Sequence, residues 1–139
     1  MWPHDTAICI AGLRRVGRVD EALHLASALL DASIATRGEM PELFSGIGRE
    51  QIAVPVRYPA SCRPQAWASA SPLLVLRSLL GLEPNVPAGR IDLDPVLPAG
   101  ATRLRFEAMP LAGGTVSIEV DGDALAVRGL PSTLSLIHI

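Results

Sequence analysis

The stretch Trp2–Gly17, WPHDTAICIAGLRRVG, decides how the first half of this chain is read. Ala7, Ile8, Ile10, Ala11 and Leu13 recur as an apolar run at helical spacing. Asp5 stands where an N-cap carboxylate could accept the free N–H groups of a first turn, and Gly17 supplies a stop. Working outward, Asp20 predicts a second cap, followed by the broad apolar stripe of Leu23, Leu25, Ala26, Leu29 and Leu30. The link through Gly17 and Arg18 is short, so the two helices are predicted to fold back as an antiparallel hairpin.

From Thr36 to Arg63 the helical period is lost, and Gly38, Pro41, Gly46, Gly48, Pro55 and Pro59 punctuate the chain. A loop of this length in a compact unit is usually functional or disordered. Phe44, Ile47, Val54, Val56 and Tyr58 argue against disorder. A third helix is predicted from near Pro64 to Gly81, kinked or split at Pro72, where a backbone donor is missing. The texture then changes to strands: RIDLDPVLP, TRLRFEAM, and TVSIEV and DALAVRGL around a type I′ turn at Asp121-Gly122.

A chain of 139 residues, 49% hydrophobic and 19% charged, has the composition of a globular protein with one or two structural units. Net charge is -2, and although every basic residue is arginine they form no cluster, so neither nucleic acid nor a membrane surface is an expected partner. No run approaches the roughly 18 to 20 apolar residues of a membrane span. No signal-peptide pattern opens the chain, which makes a cytoplasmic location the expectation, although a start lost upstream would hide such a signal. Cys9 and Cys62 lack metal-ligand spacing and are read as two buried thiols rather than a disulfide. The last six residues, LSLIHI (Leu134–Ile139), resemble a translated transposase sequencing adapter, and the abrupt WPHD opening reads as a cut. The chain is therefore expected to be a fragment.

The chemistry-bearing residues gather in three segments. GEMPELFSGIG, Gly38–Gly48, sets Glu42 behind Pro41 among glycine and apolar side chains, with Glu39 the only other charge. WPHDT adds Trp2, His4 and Asp5, and SCRPQAW adds Gln65 and Trp67. If the helices pack as neighbours, all three segments reach the same end. Aromatic faces beside carboxylates and amides describe a sugar site, because rings stack on the C–H faces of pyranoses while polar groups bind the hydroxyls. Core positions for the two tryptophans and a plain capping role for Asp5 are equally consistent with the sequence. His4 has no partner at metal-ligand spacing, and Ser61, Cys62 and His4 lie in nothing like a nucleophile elbow.

WPHDTAICIAGLRRVG, GEMPELFSG and YPASCRPQAWASASPLLVLRSLLGLEP resemble, in order and spacing, three consecutive segments near the C-terminus of the glycogen-debranching, amylo-α-1,6-glucosidase-like glycoside hydrolases. The likeness covers Trp2 to Pro84 well and the remainder loosely. It implies a mainly α chain: the last helical hairpins of a partial (α/α)6 toroid over residues 1–83, then a small antiparallel β tail over 84–133 and the adapter translation over 134–139. It further implies an inverting hydrolase acting on α-glucan or a related oligosaccharide without a cofactor or metal. Glu42, in the family's "PEL" motif, would be the general base. The general acid would lie upstream, in the missing N-terminal part of the same catalytic domain, so this chain alone is expected to be inactive. Trp2, His4, Asp5, Gln65 and Trp67 would line the sugar subsites. A base must be ionised, which apolar surroundings oppose, so donors near Gly46 and Gly48, or Gln65 or Arg49, are expected to hold the carboxylate. The alternative is a non-catalytic helical packing or carbohydrate-binding module in which Glu42 only caps the loop.

Overall fold

A computed structural model describes residues 1–138 and divides the chain into two compact units, Met1–Ser78 and Leu79–Ile139. The first unit holds α1 (Pro3–Arg15), α2 (Val19–Ala35) and all but the end of α3 (Ala66–Leu80). Val16, Gly17 and Arg18 join α1 to α2, and the two helices pack together as the predicted hairpin. The residues buried on the two helices are mostly alanine. Ala22, Ala26, Leu29 and Ala32 are buried on α2, and Ala7 and Ile10 on α1, whereas Leu23, Leu25 and Leu30 are only half-buried. Alanine lets two backbones approach closely, so the packed face is rotated from the leucine stripe that the sequence advertises. Burying Ile10 and Leu29 contributes roughly 1.5–3 kcal/mol each.

Helix entry also differs from expectation. α1 starts at Pro3, whose fixed φ and missing N–H suit the first helical position, and Trp2 occupies the N-cap without a side-chain bond. Asp5 and Asp20 lie in the first turns of α1 and α2, where they complement the helix dipole rather than cap it. Pro72 sits inside α3 without splitting it. Arg14 Nε donates to the Ser78 carbonyl at 3.2 Å, tying α1 to the end of α3.

The second unit is built from strands. β1 (Glu83–Asn85), β2 (Arg90–Leu93) and β6 (Ser135–His138) form one sheet, and β3 (Arg103–Leu111), β4 (Gly114–Asp121) and β5 (Ala124–Arg128) another. Val116, Ile118 and Val120 alternate inward on β4 and bury with Leu80, Leu82 and Leu93. The β4–β5 turn is Gly122-Asp123, since Asp121 pairs with Ala124. Positive φ at Gly122 alone marks the II′ geometry, where the sequence predicted I′ one residue earlier.

The expectation of a mainly α chain, part of an (α/α)6 toroid with a small antiparallel β tail, is overturned. Helix takes 35% and strand 25% of the residues, the strands make two sheets, and β2 pairs with β6 in parallel. The protein is a small α/β chain. Helical periodicity over 13 to 17 residues is a strong signal in sequence, while strands of three to nine residues leave a weaker one. Ser135–His138, within the adapter-like segment, thus forms a strand whose four residues are all exposed; Ile139 lies outside the described residues. Cys9 and Cys62 are both free and exposed, not buried: Cys9 falls on the outer face of α1, and Cys62 precedes α3 in the loop. Among the described residues, no helix is long and apolar enough to cross a membrane.

Candidate functional site

The long loop is an irregular two-stranded ribbon. The Glu42 N–H donates to the Cys62 carbonyl at 2.9 Å, Gln65 N–H to Met40 at 3.1 Å, Tyr58 N–H to Leu43 at 3.1 Å and Ser45 N–H to Val56 at 2.7 Å. Phe44, 2% exposed, anchors the ribbon and also pairs with the start of the chain. Its N–H donates to the Met1 carbonyl at 2.9 Å, and the Met1 amine donates to its carbonyl at 2.8 Å. Met40 and Pro41 are buried beneath the ribbon. These bonds hold the backbone on both sides of Glu42, so the origin of its side chain is fixed although the segment has no regular structure.

Glu42 as a residue is half-buried, and its carboxylate meets the Cys62 N–H in an exposed setting. The Cys62 N–H donates to Oε2 at 3.4 Å, a long bond that orients the group weakly. None of the donors expected from sequence serves. Arg49 donates both terminal nitrogens to Asp31 Oδ2 at 3.1 Å, and Gln65 contributes its backbone to the ribbon rather than its amide to Glu42. Arg63 pairs with Glu39 at 2.8 Å. Arg49 and Arg63 are therefore committed to other carboxylates, and among the described residues Oε1 of Glu42 accepts from no group. A carboxylate with one oxygen held and the other open can orient a water and take its proton.

Beside the ribbon stands an aromatic group assembled from α1 and α3. The His4 ring lies 5.6 Å from the Trp2 ring, edge to face, and 5.1 Å from the Trp67 ring, tilted by 37°. Trp2 is 40% and Trp67 52% exposed, so neither is a core filler and both present area to a ligand. His4 Nε2 lies 3.2 Å from Asp5 Oδ1, while His4 Nδ1 is buried without a hydrogen-bond partner. The structure thus brings the three motif-bearing segments together. Trp2, His4, Asp5 and Trp67 form one cluster, Gln65 joins through its backbone, and Glu42 is tied to the same segments through Phe44 and Cys62. Its carboxylate makes no hydrogen bond to the other predicted side chains, among the described residues.

Cys62 and Phe44 are the members that sequence reasoning missed. A backbone N–H donor has no side-chain signature, so nothing in the sequence marks it. Among the described residues, no group of three or more His, Cys, Asp and Glu could hold a metal. A cavity of ≈ 510 Å³ in the strand unit, lined by Pro95, Leu97, Val120, Asp123, Leu125 and His138 among others, contains none of the predicted site residues.

Comparison with known protein families and with curated proteins finds no match to this chain. The likeness to the debranching hydrolases therefore rests on the three quoted motifs.

Proposed function

We propose that this chain carries the general base and part of the sugar-binding surface of an inverting glycoside hydrolase that acts on α-glucan or a related oligosaccharide. Glu42 takes the proton from the attacking water, and the faces of Trp2 and Trp67 receive the sugar. The acid that protonates the leaving oxygen belongs to residues outside this chain. The observation that carries the reading is the convergence of WPHD, PELF and CRPQAW through the Met1–Phe44, Glu42–Cys62 and Met40–Gln65 backbone bonds. Sugars favour such a place, since two half-exposed indoles offer stacking area beside an open carboxylate oxygen.

The test is Glu42→Gln in the natural full-length protein that contains this sequence. The amide keeps the shape and can still accept from Cys62, but it cannot take a proton, so turnover on an α-1,6-branched glucan should fall by roughly 10² to 10⁴ with KM little changed. Turnover near that of the unsubstituted protein would remove Glu42 from the chemistry. Binding of malto-oligosaccharides by a protein with no hydrolytic activity would favour the non-catalytic module instead.

A further inference from the structure

The two nitrogens of His4 are poorly placed for a ligand. Nδ1 is sealed from solvent without a partner, and Nε2 faces Asp5 Oδ1 at 3.2 Å. The carbons of the ring are what its neighbours use: Trp2 meets it edge to face and Trp67 lies tilted against it, one indole on each of two contacts. A buried acceptor without a donor is destabilising, so the nitrogens of this ring add nothing to the fold that its shape and its ring contacts do not.

We infer that His4 is a positioning residue, a spacer that sets the separation and angle of the Trp2 and Trp67 faces, and not a group that bonds the ligand. Asp5 steadies the spacer from its outer edge. Both tryptophans touch the imidazole and still remain 40% and 52% exposed. The ligand that such paired faces fit is a chain of at least two pyranose rings, one for each indole. This last step rests on the proposed glycosidase reading, whereas the spacer role does not.

His4→Phe and His4→Ala, made in this chain, separate the possibilities. The indole N–H resonances of the two tryptophans report the arrangement without any ligand, through the ring current of the group between them. His4→Phe should keep them dispersed, and it should raise Tm by roughly 4–8 °C, the shift expected in a unit of this size when one unpaired buried acceptor is removed. His4→Ala should collapse the dispersion. With maltotriose as the probe, His4→Phe should bind within about threefold of the unsubstituted chain and His4→Ala at least tenfold more weakly, as the rescue of a spacer requires. Indole resonances unmoved in His4→Ala would overturn the inference, and so would His4→Phe binding as poorly as His4→Ala. If the unsubstituted chain binds no maltotriose, the sugar reading falls, and the indole resonances alone decide the spacer role.

Discussion

Gly129→Ala tests the packing of the strand unit at one atom. Gly129 follows β5 with φ at +73°, and a Cβ placed there would clash with the carbonyl oxygen of Thr115 on β4. Gly122, in the β4–β5 turn, also has positive φ, at +55°, but nothing lies within 4 Å of its Cβ position. Both substitutions incur the left-handed backbone cost of roughly 1–2 kcal/mol, offset in part by the ~0.4–1 kcal/mol gained from a stiffer unfolded chain. Only Gly129→Ala adds the clash. A backbone oxygen cannot rotate away, so β4 and β5 must separate, at the roughly 1–3 kcal/mol typical of overpacking. The totals are about 1 kcal/mol for Gly122→Ala and about 2–4 kcal/mol for Gly129→Ala. Against the ~3–9 kcal/mol expected for a unit of about sixty residues, the first leaves the fold intact and the second removes a large share of its stability. Amide exchange of Ile118 and Val120, buried on β4, reads the opening free energy directly. Losses in the two variants equal within about 0.5 kcal/mol would refute the close approach as the cause.

Acid should weaken the same unit through Glu119. The hydrogen bond from Arg103 holds its carboxyl below the ordinary 4.5, aided by the charges of Arg103, Arg105 and Arg128 and opposed by partial desolvation. A depressed folded pKa contributes stability that is fully present above the unfolded value and lost as pH falls through the folded one, so the loss begins near pH 4.5 and continues below it. Glu119→Gln should flatten that acid limb in pH-dependent denaturation, and an unchanged slope would exclude the carboxylate as its source. In the full-length protein, a base acting on water requires carboxyls about 6.5–9.5 Å apart and releases β-glucose first from an α-linked substrate. Proton NMR of the anomeric signals before mutarotation decides it: initial α-glucose would sink Glu42 as a base on water even were it essential.

The helical hairpin was legible because alanine and leucine at helical spacing over more than ten residues leave few alternatives. Its details were not. Asp5 and Asp20 carry good capping chemistry, yet Pro3 competes for the first position of α1 and sets that helix three residues earlier. Alternation in TVSIEV marks a strand and its buried face but is silent about its partner. No local pattern announces that Arg90–Leu93 lies between an antiparallel and a parallel neighbour, because pairing is a non-local choice. Alternation therefore marks the strands without saying which sheet each one joins. At the site, side chains rich in chemistry were visible in sequence, and their gathering follows from the helical hairpin and the proline-rich return of the loop. The donor to Glu42 was invisible, since a peptide N–H at Cys62 looks the same as any other.

The division at Ser78 has an optical consequence. Trp2, Tyr58 and Trp67 are all the tryptophan and tyrosine in the chain, and all precede it. Intrinsic fluorescence therefore sees the helical unit and is blind to the sheets, whose far-ultraviolet circular dichroism overlaps that of the helices. A fluorescence melting curve records the first unit alone, whereas one from circular dichroism records both. Curves that part company would mean two units unfolding in turn, with no partly folded species implied within either; curves that coincide would show that the units melt together.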